Sequence, residues 1–257
     1  IGLNPSLDYT QAWGFDHGGN NWLTGVSTLG KSLIIDGAKL RSMNQGYSRL
    51  VAKYKQGKSE FYWDANLDRI QTKRNNQMRD AINKAARFII NQCLHDGIGN
   101  LVIGWNEGQK VESNMVQVNN QNFVPIPTGR LLKRLEELCK EYGIVLTITE
   151  ESYTSRASFL DNDFLPTFGE KPEGWKPSGK RVKRGQYRTS QGILINADAN
   201  AAANILRKVV TQLGLVRLAE VRSGILKVPQ RINLFTRLDR LYRRVAERTF
   251  RSLGNVT

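Results

Sequence analysis

Residues 193–206 read ILINADANAAANIL, a short apolar strand that turns through Asn196, Ala197 and Asp198 straight into an alanine-rich helix. Alanine is the best helix former and leaves the flank of a helix thin, so this helix can lie close against a sheet. Asn196 and Asp198 both carry the short acceptor that caps the first free backbone amides. A capping Asp is one reading of Asp198; a carboxylate fixed at a helix mouth for chemistry is the other. Two further acidic positions bear on the choice.

Near the amino end, residues 11–16 (QAWGFD) lead through His17, Gly18, Gly19, Asn20 and Asn21 into residues 22–27 (WLTGVS) and then residues 31–37 (KSLIIDG). The pattern predicts three short strands joined by tight turns. Asp16 falls at the carboxyl end of the first, with glycines behind it that let a phosphate backbone approach. Later, the apolar run at 144–148 (IVLTI) precedes Glu150 and Glu151, and then Ser152, Tyr153, Thr154 and Ser155. Carboxylates ending two strands and opening a late helix can converge on one edge of a mixed sheet. Convergent carboxylates are the donor set of a hard divalent cation.

Four stretches carry a family resemblance: GFDHGGNNWLT (14–24), TEESYTSRASFLDNDFLPTFGEKPEGW (149–175), SGKRVKRGQYRT (178–189) and INADANAAANILRKV (195–209). Together they resemble the TnpB proteins, transposon-encoded RNA-guided DNA endonucleases related to the type V CRISPR effectors, in particular the cyanobacterial-type members. The resemblance covers roughly residues 10–210. It implies an α/β fold: a ribonuclease H-like (RuvC) mixed sheet flanked by helices, with a basic insertion before the last helix and a basic carboxyl-terminal tail. It also implies a metal triad in the order D, E, D, carried onto Asp16, Glu151 and Asp198, where cut-and-paste transposases of the same fold use D, D, E.

The middle acid departs from the commoner pattern, which ends the strand after the long helices with a glutamate. The matching position here is Gly104, in LVIGWNEG. A subset of the family resembles this chain in placing its glutamate before a Y-T-S motif, where Glu150 and Glu151 stand. Alternation along a strand sends neighbouring side chains to opposite faces, so only one of the two looks into the site; Glu151 is preferred and Glu150 held in reserve. Glu107 is a third candidate, three residues past the strand end. Loss of the glutamate would leave a dead site.

The resemblance implies two Mg2+ or Mn2+ ions, a DNA substrate and a guide RNA as partners. Asp16 would bridge both ions, with Glu151 and Asp198 each holding one. A zinc site of four cysteines, common in the family between the last two acids, has no counterpart: the two cysteines, Cys93 and Cys139, lie outside that region and read as buried free thiols. The insertion at 153–192 is instead rich in breakers and carries Lys180, Arg181, Lys183, Arg184 and Arg188, expected on phosphates. Its rings, Phe159, Phe164, Phe168, Trp175 and Tyr187, would have to supply the small core that zinc ligation gives elsewhere.

Charge agrees with a polyanionic partner. Lys and Arg number 38 against 23 Asp and Glu, a formal net charge of +15. Such a balance favours salt-sensitive phosphate binding. Basic charge alone also suits a ribosomal or membrane-surface protein; the acids argue for cutting. No apolar run is long enough to span a membrane and no secretory leader is visible, so a cytoplasmic setting is expected.

The remaining pattern organises the chain. Residues 38–56 and 64–96 predict helices, the second with Lys73 and Arg74 among the cations of its outer face, either solvated or a rail for a nucleic-acid backbone. Residues 101–104 predict a buried strand and 127–142 an amphipathic helix closed by Gly143. The expected division is 10–152 for the first part of the nuclease domain with its long helical insertion, 153–192 for the nucleic-acid-binding insertion, 193–213 for the last strand and helix, and 214–257 for the tail, with residues 233–253 as a basic amphipathic helix or a segment ordered by RNA. Family members begin with a barrel and a helical recognition segment that find no match ahead of residue 10, which reads as a fragment or a decayed copy. A nuclease-dead protein that binds RNA or DNA and keeps the fold is the alternative function.

Overall fold

A computed structural model describes residues 2–18, 21–106, 127–215, 218 and 221–235. Three strands open the chain, β1 (Asp8–His17), β2 (Asn21–Ser27) and β3 (Ser32–Asp36), and pair as an antiparallel meander. Two helices follow, α1 (Ala38–Lys55) and the long α2 (Ala65–His95). Asp64 caps α2 by accepting the Leu67 N–H at 2.9 Å. Strand β4 (Ile98–Gly104) then returns parallel to β1, helix α3 (Thr128–Tyr142) crosses over, and β5 (Val145–Thr149) pairs parallel to β4. Gly143 ends α3 in the left-handed conformation at φ 69°, which lacks a Cβ penalty only for glycine. The sheet order is β5-β4-β1-β2-β3, antiparallel at β2 alone, extended by a short parallel strand β9 (Gln230–Ile232) beside β3. This is the ribonuclease H-like mixed sheet that the sequence implied.

Alternation along β1 sets the two layers. Trp13 and Phe15 face a large core built with Met78, Ile82, Phe88 and Ile89 of α2 and Leu131, Leu135 and Leu138 of α3. Ala12, with Val26 and Val102, faces helix α4 (Ala197–Val209) on the other side. Cys93 and Cys139 are free and buried in the first core, as expected, and burial pushes both thiols up.

The expected boundaries shift in two places. The strand leading into the alanine-rich helix, β8 (Leu194–Asn196), does not join the central sheet; it pairs with β7 (Gln186–Arg188), which pairs with β6 (Lys180–Lys183), in a separate three-stranded sheet. The insertion and the last strand are therefore one unit. The expected tail also contributes to the fold. Leu226 of the short helix α5 (Ser223–Lys227) and Ile232 of β9 are buried, which follows from their apolar side chains meeting the two cores. Most of the amphipathic helix expected at 233–253 lies outside the described residues. Among the described residues no helix is long and apolar enough to cross a membrane.

Candidate active site

Helix α4 sits directly on sheet backbone. A Cβ on Gly14 of β1 would fall 2.5 Å from Leu206 Cγ and 3.3 Å from the Ala202 carbonyl, and one on Gly104 of β4 would run into Ile205. Glycines below and Ala199, Ala202 and Ala203 above are what let the helix approach so closely. Asp16 follows Gly14 on the same face of β1, so it points toward the mouth of α4. Asn196 is the cap, accepting the Asp198 and Ala199 N–H groups at 3.0 Å each. Capping by Asn196 leaves the Asp198 carboxylate for the site, where Asn21 Nδ2 donates to it at 2.7 Å and Arg181 approaches its other oxygen at 3.5 Å.

The paired glutamates separate by contact. Both stand just past the end of β5 rather than within it, so the turn, and not strand alternation, divides them. Glu150 forms an ion pair with Lys208 of α4 and accepts the Ser152 N–H at 2.9 Å. Burial pushes its carboxyl up, but the Lys208 and Ser152 hydrogen bonds outweigh that and hold it below the usual range. Glu151 takes the other direction. Its N–H donates to Asn106 Oδ1 at 3.0 Å, and its Cβ lies 3.4 Å from where a Gly104 side chain would begin. Glu151 thus overlies the position whose glutamate is missing. Glu107 lies outside the described residues.

The three acids meet electrostatically at Asp16. Burial pushes the Asp16 carboxyl well up, the Glu151 and then the Asp198 carboxylate push it further, and Arg181 draws it partly back. The charges of Glu151, Asp198 and Arg181 thus all reach Asp16. Among the described residues, no three His, Cys, Asp or Glu side chains form a ready-made metal cage. The donor set still fits a hard cation: oxygen ligands only, crowded enough that the central one resists ionisation without a counter-charge. His17 is not among these groups; its Nε2 lies 2.6 Å from the Thr128 hydroxyl and its ring meets Trp105 edge-on at 5.8 Å.

Lys180, Arg181, Lys183, Arg184 and Arg188 are all exposed on the β6–β7 hairpin beside the acids. The helical rail divides. Lys73 is exposed, whereas Arg74 donates to Asn44 Oδ1 at 3.0 Å and lies over the Tyr47 ring, bracing α1 on α2. In the insertion, Tyr187 is the buried ring, its hydroxyl on the Arg156 carbonyl at 2.8 Å, while Phe164 and Phe168 are exposed. Two aspartates complete what the rings begin. Asp161 accepts from the Ser190 N–H at 2.8 Å, the Ser190 hydroxyl at 2.7 Å and the Ser178 hydroxyl at 3.1 Å; Asp163 accepts the Ser158 and Ser178 N–H groups at 2.7 and 3.1 Å.

Several of these partners escaped the sequence reading. Asn21 looked like a turn residue, and nothing singled out Asn200 and Asn204, which are buried on α4. The signal was present in the spacing: Asn196, Asn200 and Asn204 recur every four residues, one face of a helix.

Residues 4–109 match the family OrfB_IS605, described as a probable transposase, a stretch that runs from the approach to β1 to just past β4. The Cas12f1–sgRNA–target DNA complex has the same fold, with a TM-score of 0.53 at 16% identity over 80% of this chain and 51% of that one. The resemblance to the TnpB family is borne out. A Cas12f ternary complex matches this TnpB-like chain with a TM-score of 0.52 at 19% identity, over 80% of this chain and 39% of the other. The chain thus spans about half or less of the solved structures it matches, and no curated protein matches it. Its fold is RuvC-like.

Proposed function

We propose that the chain is the nuclease part of an RNA-guided DNA endonuclease that hydrolyses phosphodiesters with Asp16, Glu151 and Asp198 as metal ligands. The observation that carries this reading is the seating of α4 on β1 and β4, which places Asp198 at the helix mouth and Glu151 beside Gly104, both close enough for their charges to act on half-buried Asp16. A pair of Mg2+ or Mn2+ ions, when bound, supplies an activated water and neutralises charge at the phosphate. Asp198 would be kept oriented by Asn21, and Arg181 would pass from Asp198 to the substrate phosphate once cations balance the acids. Lys180, Lys183, Arg184 and Arg188 would track the strand, and Lys73 would add a contact from α2; Arg74 already braces α1. The matched Cas12f1 structure is a complex with sgRNA and target DNA, which supports the same two partners here.

The division of labour follows the elements: residues 10–152 with α4 form the catalytic body, and the small sheet with its turns forms the nucleic-acid-binding insertion. A second reading, a nuclease-dead protein that binds RNA or DNA, is favoured by one observation, the lack of a ready-made metal cage among the described residues. Recovery of bound RNA from the full chain, followed by cleavage of single- and double-stranded DNA programmed by that RNA, separates the two. Cleavage that Asp16→Ala and excess chelator each abolish supports the nuclease. Binding without cleavage in Mg2+ and in Mn2+ supports the second reading.

A further inference from the structure

Helix α4 grips the turn that follows Glu151. Asn200 Oδ1 accepts the Phe159 N–H at 2.9 Å while its Nδ2 donates to the Ala157 carbonyl at 2.8 Å. One turn of helix later, Asn204 Nδ2 donates to the Ala157 carbonyl at 2.8 Å and to the Thr154 carbonyl at 2.9 Å. Thr154 then donates both its N–H, at 3.2 Å, and its hydroxyl, at 2.8 Å, to the Glu151 carbonyl. An unbroken hydrogen-bonded path therefore runs from Glu151 through Thr154 and Asn204 to the helix that carries Asp198.

Both asparagines are 0% exposed and Thr154 is 2% exposed. Burying an amide costs free energy unless its bonds are made, Asn204 leaves its buried Oδ1 without a hydrogen-bond partner among the described residues, and the neighbouring buried positions Ala199, Ala201, Ala202, Ala203 and Ile205 show that this helix packs well with apolar side chains. Amides at 200 and 204 accordingly define position rather than simply fill space. Asn204 stands six residues from Asp198, about 9 Å along the axis at the α-helical rise. The turn itself is bent, with Tyr153 at φ 64°, a conformation a non-glycine residue keeps only when its surroundings hold it.

We infer that Thr154 and Asn204 are positioning residues that fix the Glu151 carboxylate relative to Asp198. The inference rests on Glu151 being a metal ligand, and the test separates the two ideas. Thr154→Val keeps the shape of the side chain and removes the hydroxyl, Thr154→Ser keeps the hydroxyl, and Asn204→Leu replaces the amide at similar volume. Three quantities are read on the full chain: Mn2+ affinity by titration, hydrogen exchange at residues 151–159 without metal, and thermal unfolding.

Outer-shell partners of metal ligands typically govern affinity by 10-fold or more, so Thr154→Val and Asn204→Leu should weaken Mn2+ binding by roughly 10-fold and speed exchange in the turn. Thr154→Ser should restore both, and exchange across β1 and β4 should stay as in the parent. If Asn204→Leu does not fold, the Val and Ser pair decides alone. Faster exchange with unchanged Mn2+ affinity overturns the inference and leaves Thr154 a purely structural residue. Glu151→Gln in the same titration reports on the underlying reading: unchanged affinity there removes the ligand role of Glu151, and the positioning role with it.

Discussion

Asp16→Asn should stabilise the metal-free protein while abolishing cleavage. In the folded chain burial comes first in raising the Asp16 carboxyl, with Glu151 and Asp198 adding to it and Arg181 subtracting. A folded-state pKa above the ordinary value of 3.8 means that the native chain binds this proton more tightly than the unfolded chain does. The resulting stabilisation is fully present below 3.8 and is lost as pH rises from there through the folded pKa, so wherever the carboxyl is ionised in the fold it is a net burden. Asparagine matches the shape and carries no charge. Removing such a functional burden commonly yields on the order of 1 kcal/mol. For a chain of this size that corresponds to a rise in Tm of about 2–4 °C. The assay is thermal unfolding in chelator at about pH 4 and about pH 8, where the advantage of the variant should be larger at the second. Saturating Mg2+ should reverse the ranking, since a ligand at about 100 times its Kd adds about 2.7 kcal/mol to a protein that binds it. A variant no more stable than the parent at the higher pH, or equally stabilised by Mg2+, would refute the electrostatic account of the site.

Three other outcomes are expected. Glu151→Gln should abolish cleavage while Glu150→Gln retains it, because Glu150 is engaged with Lys208 and that partly exposed pair contributes no more than about 1 kcal/mol to stability; equal losses in a cleavage assay would return the ligand role to both. Neutralising Lys180, Arg181, Lys183 and Arg184 should lower the slope of log affinity against log salt by up to about 0.9 per lost phosphate contact on duplex DNA, measured by anisotropy on unrelated sequences, and an unchanged slope would remove the hairpin from the interface. Gly104→Ala should cost about 1–3 kcal/mol in denaturant unfolding by forcing Ile205 and α4 away from β4, and should weaken Mn2+ binding through Glu151; a neutral substitution would contradict the close seating of the helix.

The meander, the long helices and the Asn-capped helix were legible because each carries its own local signal: alternation, 3.6-residue periodicity and a short polar residue ahead of an alanine run. The placement of Asp16 and Asp198 was legible for the same reason, since each sits near an element end. What the sequence left open was decided by contacts between distant segments. Nothing local distinguishes Glu150 from Glu151; the lysine at 208 does, and it lies on another element. Strand β9 was hidden among arginines because its pairing energy comes from β3, nearly two hundred residues earlier. Asp161 and Asp163 carry no local signal, since they brace the insertion through Ser158, Ser178 and Ser190, partners chosen by the fold of the turn.

The shared strand β8 sets a rule for anyone who would exchange the hairpin for that of another protein. Its last residue is the cap of α4, and the next N–H, that of Ala197, is given to the carbonyl of Gly185 at the hairpin tip. A graft joined at residue 192 would therefore cut through one hydrogen-bonded piece, and a hairpin one residue longer or shorter would turn Asp198 away from Asp16. The piece to be kept whole runs from the β6–β7 hairpin through β8 to the cap of α4. Within it, surface cations can be varied without disturbing the fold, whereas length between Gly185 and Asp198 cannot.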